Sequence, residues 1–224
     1  MSKKIIIIGN TVAADIIYGL LNSDDRYEVV CFSVDKEYIN EAEKLGLQVI
    51  PIEDLKEKHN PEEHSVMLGI GYNNVNQTRA EIFNRVKDLG YSVETYIHPS
   101  AVINSEAEIG EGSIVMANSV VEPFTSIGEN SMIWSNCTIA HHSTVGSHCW
   151  IASNSIISGQ AAVKDFVFIG VQCTIVNEVI VEELNIIGAG SLITKNTKPK
   201  DVYLTRSSEK HRFDAINYSK YFLK

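Results

Sequence analysis

Residues Ile127–Ile157 read IGENSMIWSNCTIAHHSTVGSHCWIASNSII. Within them Ile127, Ile133, Ile139, Val145, Ile151 and Ile157 stand six residues apart, and each is aliphatic and β-branched. The same register continues outward without a gap, from Ile103 to Ile193. Two positions before most of these residues sits a small one, as at Ser131, Cys137, Ser143, Cys149 and Ser155. A period of six is neither the helical period nor the alternation of a simple strand. It is a repeat signature and takes precedence over local propensity. It predicts a flat, three-walled coil in which each hexapeptide makes a short strand and a turn. The aliphatic residue points inward, the small one packs beside it near a corner, and three hexapeptides complete a turn. Gly110, Gly128 and Gly146 are spaced by one such turn, as are Gly170 and Gly188. One coil cannot bury its own core, so stacked neighbours must do so. The competing reading, a sandwich of alternating strands, needs strands separated by variable turns. The unbroken register has none.

The whole chain of 224 residues has room for one large domain or two small ones. Its formal charge of −9 argues against nonspecific binding to nucleic acid or to an anionic membrane surface. The opening MSKKIIIIGN contains an apolar run too short to span a membrane and shows no signal cleavage site, so no membrane span is expected. Of Cys31, Cys137, Cys149 and Cys173, the last three occupy small-residue repeat positions, and no CxxC pair is present. The expectation is a reduced, cytoplasmic setting.

Ahead of the repeats the pattern changes. Lys4 to Ile8 reads as a buried strand, followed by Gly9-Asn10-Thr11 and a helical pattern through Ile16, Ile17, Leu20 and Leu21. Further strands are predicted at 27–32, 48–52, 65–70 and 91–97, and helices at 38–45 and 77–89, with Gly90 as the second helix's stop. This alternation implies a small parallel α/β sheet, which binds ligands at the carboxyl ends of its strands. Gly9 to Thr11 lies at the first such end, where backbone N–H groups at a helix start can hold phosphate. Asp35, after the second strand, suits a ribose or a base, or is a solvated loop acid. Gly71 and Asn73 follow another strand and fall on the same edge. Without a GxGxxG, a plain βα turn that holds no ligand remains the alternative. The boundaries are set at 1–97 for this Rossmann-like domain, 98–200 for the coil and 201–224 for a C-terminal tail.

The coil's outward face carries Ala140-His141-His142-Ser143, with His148 one hexapeptide on. Inward positions are taken by Ile139 and Val145, so His141 and His142 are placed on or near the surface. Three roles are open to them: solvated surface residue, metal ligand, or general base. His142 and His148 fall on different walls and need a neighbouring subunit to close a metal site. The base role suits imidazole chemistry near neutral pH.

The chain resembles the bacterial sugar acyltransferases related to sialic acid O-acetyltransferase, which include the hexapeptide-repeat N-acetyltransferases of nucleotide-linked 4-amino-4,6-dideoxy sugars. The resemblance covers nearly the whole chain. It is carried by the opening strand and Gly9 turn, Ile70-Gly71-Tyr72-Asn73, Ile97-His98-Pro99-Ser100-Ala101, the hexapeptides, and the His141 segment before Val145-Gly146. It implies a left-handed parallel β-helix, a homotrimer, a nucleotide-linked amino sugar held by the α/β domain, and acetyl-CoA along the coil between two subunits, with no metal. It implies that His141 is the base and that Gly9, Asn10, Thr11 and Asp35 fall where the sugar nucleotide is held. Gly159, Ile169 and Gly170 would fall along the coenzyme groove, and Trp150 stands where a histidine near the thioester is common.

The chain also departs from the family pattern. Val12 and Ala13 replace a glycine and a histidine after the first strand, and His142 follows His141 where an acid is frequent. Val202-Tyr203-Leu204-Thr205-Arg206 replaces a Gly-x-Pro-Ala-Lys loop, and residues 207–224 form an atypical tail. The activity expected is N-acetylation of a nucleotide-linked amino-deoxy sugar by direct attack on the thioester. Alternatives are a sugar O-acyltransferase, a non-catalytic trimeric sugar-nucleotide-binding protein, and a γ-carbonic-anhydrase-like metal enzyme.

Overall fold

A computed structural model describes residues 2–223, so Met1 and Lys224, the outermost residues of the first and last expected segments, lie outside it. The chain begins with β1 (Lys3–Ile8), α1 (Val12–Asn22) and β2 (Tyr27–Val34). β3 (Glu43–Lys44), β4 (Leu47–Pro51), the short α2 (Leu55–Lys58), β5 (Ser65–Leu68) and α3 (Gln77–Asp88) follow. The five strands form one sheet in the order β3-β4-β2-β1-β5, parallel except for the β3–β4 pair. Ile5 to Ile8 are fully buried on both faces of this sheet, as central parallel strands require.

The helix expected over 38–45 is not formed. Lys36–Tyr38 makes one 3₁₀ turn, and Glu43–Lys44 then pairs antiparallel with Leu47 and Gln48. Leu45 and Gly46 join them with φ of 50° and 79°, the two left-handed residues of a tight hairpin. Tyr38 and Leu45 are more than half exposed, so no core rewards a helix here. The strand expected over 91–97 is also divided. Val93 bridges to Val66 at the sheet edge, whereas Tyr96–Ile97 already pairs with Ile114–Val115 of the coil. The chain therefore passes from one core to the other within three residues.

From there the chain winds through the predicted coil. Its first wall stacks seven strands, among them Ile114–Val115, Met132–Ile133, Trp150–Ile151 and Phe168–Ile169. Its second wall stacks six, including Thr138–Ile139 and Ile156–Ile157, and its third stacks five, including Thr144–Val145. Neighbours along each wall are parallel and offset by eighteen residues, as in Val121↔Ile139↔Ile157, except the last pair of the first wall, Ile186↔Val202, which is offset by sixteen. The inward register residues from Val115 to Ile187 are all 3% exposed or less. At the corners, every sixth residue turns through a left-handed backbone: Asn118, Phe124, Asn130, Asn136, His142, His148 and Asn154 have φ near 60°. Asparagine tolerates that conformation best among non-glycine residues, which accounts for its recurrence.

The small residues do more than leave space. Ser113 Oγ donates to Gly128 O at 2.6 Å and accepts from Ser131 N at 2.9 Å. Ser131 Oγ repeats the pattern with Gly146 O and Cys149 N. Each hydroxyl thus satisfies backbone groups of the next turn inside the core, where leaving them unpaired costs about 1–3 kcal/mol apiece. Ile151, fully buried at the coil's centre, gives a stability test. Ile151→Ala is expected to cost about 2–5 kcal/mol, read as a lowered urea midpoint, because stacked rungs cannot collapse into the cavity.

After the last rung, residues 206–223 are exposed apart from a half-buried Phe213. They carry α4 (Ala215–Phe222), capped by Asp214, whose Oδ1 accepts from Asn217 N at 2.9 Å. Its aromatic side chains pack on His211 and Phe213 of the same segment.

Candidate active site

Residues 140–143 turn the chain from the second wall to the third, so His141 and His142 project from the corner opposite the first wall. Both are exposed. His142 takes the left-handed position, which turns its ring towards His141, and the two Nδ1 atoms stand 3.3 Å apart. Phe124, the corner residue one turn below, packs on the His142 ring at 4.9 Å. Glu122 accepts the His141 backbone N–H at 2.8 Å and fixes the corner from beneath. On the other side lies Gly159. A Cβ placed there would sit 2.6 Å from His141 Cε1 and 2.8 Å from Nε2. The imidazole edge therefore rests on the bare backbone of the next rung.

His148 does not join them. It is half-buried at the other end of the third wall, bonded to Asn130 at 2.9 Å and stacked on Phe166. Burial, with the nearby Arg79, lowers its pKa. Among the described residues no group of three or more His, Cys, Asp or Glu is placed to hold a metal ion. Burial pushes the Cys137 thiol up to about 11 and that of Cys149 to about 12, so neither is a thiolate nucleophile at neutral pH.

A cleft of about 390 Å³ opens where the carboxyl ends of β1 and β5 meet the first wall. Thr11, Gly71 and Asn73 line one side, and Met132, Trp134 and Trp150 line the other. Tyr72 packs edge-on to Trp150 at 5.2 Å, and Trp134 lies 5.6 Å from the same ring. Among the described residues, no charged side chain lines the cleft. The close fit of strand ends depends on glycine. A Cβ on Gly9, whose φ is +128°, would stand 2.4 Å from Gly69 O.

The other expected substrate residues lie along the same sheet edge in neighbouring hollows. Asn10 borders one of about 250 Å³, with its amide donating to Tyr38 O at 2.8 Å. Asp35 borders another of about 480 Å³, where Arg85 pairs with it and with Glu53. Asp35 is thus an ion-paired acid rather than a solvated one.

The residues expected along the coenzyme groove are not gathered in one chain. Trp150 belongs to the cleft on the first wall and is only 5% exposed. Gly159 lies against His141 at the opposite corner. Ile169 points into the core and offers no side chain to a ligand. Gly170 packs on Ala189 of the next rung, with a Cβ there 2.7 Å from Ala189 N. The sequence reading gives no site role to Tyr72, Trp134 or Glu122. Trp134 could have been found, because the same corner position holds Met116, Ala152 and Gly170 in neighbouring turns.

Residues 4–86 match the family model described as the PglD N-terminal domain, and residues 92–202 match the GMPPB C-terminal domain. A search of curated proteins finds no match. Among solved structures, the chain is similar to the acetyltransferase domain of PglB from Neisseria gonorrhoeae, at 24% identity and a TM-score of 0.80 over 90% of this chain and 96% of that one. The same domain in complex with acetyl coenzyme A matches at 23% and 0.79, with equal coverage. PerB from Caulobacter crescentus, in complex with CoA and GDP-perosamine, matches at 22% and 0.71 over 89% of this chain and 92% of that one. Both halves thus carry the resemblance read from the sequence: this chain has the fold of the hexapeptide-repeat sugar acetyltransferases, a PglD-type N-terminal domain on a left-handed parallel β-helix.

Proposed function

We propose that this chain is an acetyl-CoA-dependent N-acetyltransferase of a nucleotide-linked amino-deoxy sugar, with a 4-amino-4,6-dideoxy sugar favoured, and that it works as a cytoplasmic homotrimer. The observation that carries the reading is the exposed His141, held by His142, Glu122 and Gly159 in a chain that also offers a cleft at the strand ends. In the tautomer in which His141 Nδ1 donates to His142 Nδ1, the lone pair of His141 is on Nε2, the atom against Gly159. His142 so takes the orienting role that an acid holds elsewhere.

The chemistry follows. The neutral sugar amine attacks the thioester carbonyl carbon, forming the C–N bond while His141 Nε2 takes the nitrogen's proton, a step worth about 10²–10⁴-fold. A backbone N–H stabilises the oxyanion. The C–S bond then breaks, and the thiolate leaves and recovers a proton from the imidazolium. An apolar, aromatic cleft suits a sugar that has lost hydroxyl groups. On the second wall beside His141, Thr138 and the 43% exposed Ile156 offer a floor for the coenzyme's slender arm. The similar solved structures fit this reading: one was solved with acetyl coenzyme A, another with CoA and GDP-perosamine.

The homotrimer is supported by a spatial argument. His141 projects from the corner opposite the first wall, while the cleft lies on that wall. One chain cannot bring the two together across its own coil, so the base of one copy must serve the cleft of the next. Val102, Phe124, Ile156 and Leu192, apolar and 43–64% exposed along the second wall and its corner, give copies a surface to share.

The direct test is thiol release from acetyl-CoA against UDP-, dTDP- and GDP-linked 3-amino and 4-amino deoxy sugars. Turnover with one of them is expected, and failure with every one overturns the reading. A narrower test uses Gly159. Gly159→Ala pushes on an exposed ring rather than on backbone, so thermal stability should hold while kcat falls about 10²-fold. An unchanged kcat would mean that the His141 ring position does not matter.

A further inference from the structure

Arg79, the third residue of α3, is fully buried and has no carboxylate partner among the described residues. Its guanidinium donates only to backbone carbonyls: Ile70 O at 2.9 Å, Leu68 O at 3.3 Å and Asn130 O at 3.3 Å. Its Nη2 has no partner among the described residues. Buried cations are ordinarily paired with acids, because an uncompensated charge in the interior is costly. The nearby cations at the sheet edge follow that rule. Lys44 is paired with Asp15 at 2.6 Å, and Arg85 with Asp35 and Glu53. Burial pulls the Arg79 guanidinium down to about 10, so it stays charged at neutral pH.

The location of this charge is informative. Leu68 and Ile70, whose carbonyls it holds, both line the cleft, and so does Trp150, whose ring centroid lies 6.0 Å from Arg79 Cζ. Arg79 therefore sits directly behind the cleft's neutral wall. Thr11, which also lines the cleft, supplies a hydroxyl free of any capping bond at the start of α1, where unpaired N–H groups favour an anion. The segment that carries Arg79 into place is strained: Asn74, Val75 and Asn76 run consecutively at φ of 52°, 48° and 64°. A left-handed β-branched valine is rare and persists only where its surroundings impose it.

We propose that Arg79 is the fixed positive charge of the sugar-nucleotide cleft, held without an acid so that the substrate's diphosphate becomes its counter-ion. The inference rests on the nucleotide-linked substrate proposed above. It makes Arg79 a positioning residue, acting through the wall formed by Leu68 and Ile70 rather than by contact. In a chain of formal charge −9, a cation that water cannot screen lets a dianion enter an otherwise neutral cleft. The bland alternative is that Arg79 only ties α3 to the coil.

The test compares UDP, dTDP and GDP with their parent nucleosides by calorimetric titration of the intact assembly. Wild type, Arg79→Lys and Arg79→Met are measured at about 0.05 M and about 0.5 M NaCl. Wild type should bind one diphosphate more tightly than its nucleoside, and keep most of that margin at the higher salt, because the charge is buried. Arg79→Met should shrink the margin about tenfold or more while nucleoside affinity holds. Arg79→Lys should restore much of it. Equal losses for diphosphate and nucleoside overturn the proposal in favour of the structural role, and so does a margin that vanishes with salt. If Arg79→Met does not fold, the lysine variant and the salt dependence of wild type decide. Wild type binding no diphosphate would overturn the substrate reading and this inference together. Wild type binding one that Arg79→Met binds equally well would overturn this inference alone.

Discussion

His141→Asn is expected to lower kcat by about 10²–10⁴-fold while leaving the KM for both substrates within a few-fold. Asparagine is planar and close in size to the inner half of imidazole, and its amide can still face His142. It cannot take a proton at neutral pH. The side chain is exposed and its backbone N–H, which binds Glu122, is untouched by the change, so the corner should keep its shape. A fall in kcat alone is the signature of a group that acts in the transition state, whereas a rise in KM alone would mark a binding residue. Turnover that survives the substitution would remove His141 from the mechanism and make His142, the ring beside it, the candidate base.

The coil was legible because its signal is a spacing. Sixteen aliphatic residues in one register leave a single way to bury them, and the walls, the turn length and the inward positions followed. The helix expected over 38–45 failed for the opposite reason. Tyr38 and Leu45 carry an apolar pattern with nothing to pack against, and the Leu45-Gly46 pair closes a hairpin instead. The site was legible residue by residue but not as a place. His141 could be put on the surface from the register, and Gly71 and Asn73 on a sheet edge, yet neither reading says which wall the α/β domain covers. That is decided by α3, whose Phe83 meets His148 and whose Lys87 meets Glu111, contacts between residues far apart in sequence. Hence the register alone does not show that Trp150 lines the cleft. The spacing shows the serines only as small residues, because a hydrogen bond to the next turn leaves no trace in a sequence beyond the residue type. Arg79 was invisible for a similar cause: an arginine on a predicted helix is normally a solvated one.

Mixing two inactive variants should restore activity, and this is the outcome that most sharply tests how the site is assembled. The first is His141→Asn, which lacks the base. The second is Gly71→Phe, in which a ring fills the cleft. A Cβ at Gly71 meets nothing within 4 Å, so the added side chain enters open space rather than the core. Each variant alone has one defect in every site. If each site joins the His141 corner of one copy to the cleft of its neighbour, random co-assembly pairs an intact corner with an intact cleft in about one quarter of the interfaces. Co-expressed and purified together, the mixture should therefore recover about a quarter of wild-type turnover. If instead both halves of a site came from one chain, every chain would still carry its own defect and the mixture would stay as inactive as its parents. Restoration thus follows only from sharing. It needs no structure of the assembly, because the geometry of a single coil already sets the cleft and the histidine on opposite sides.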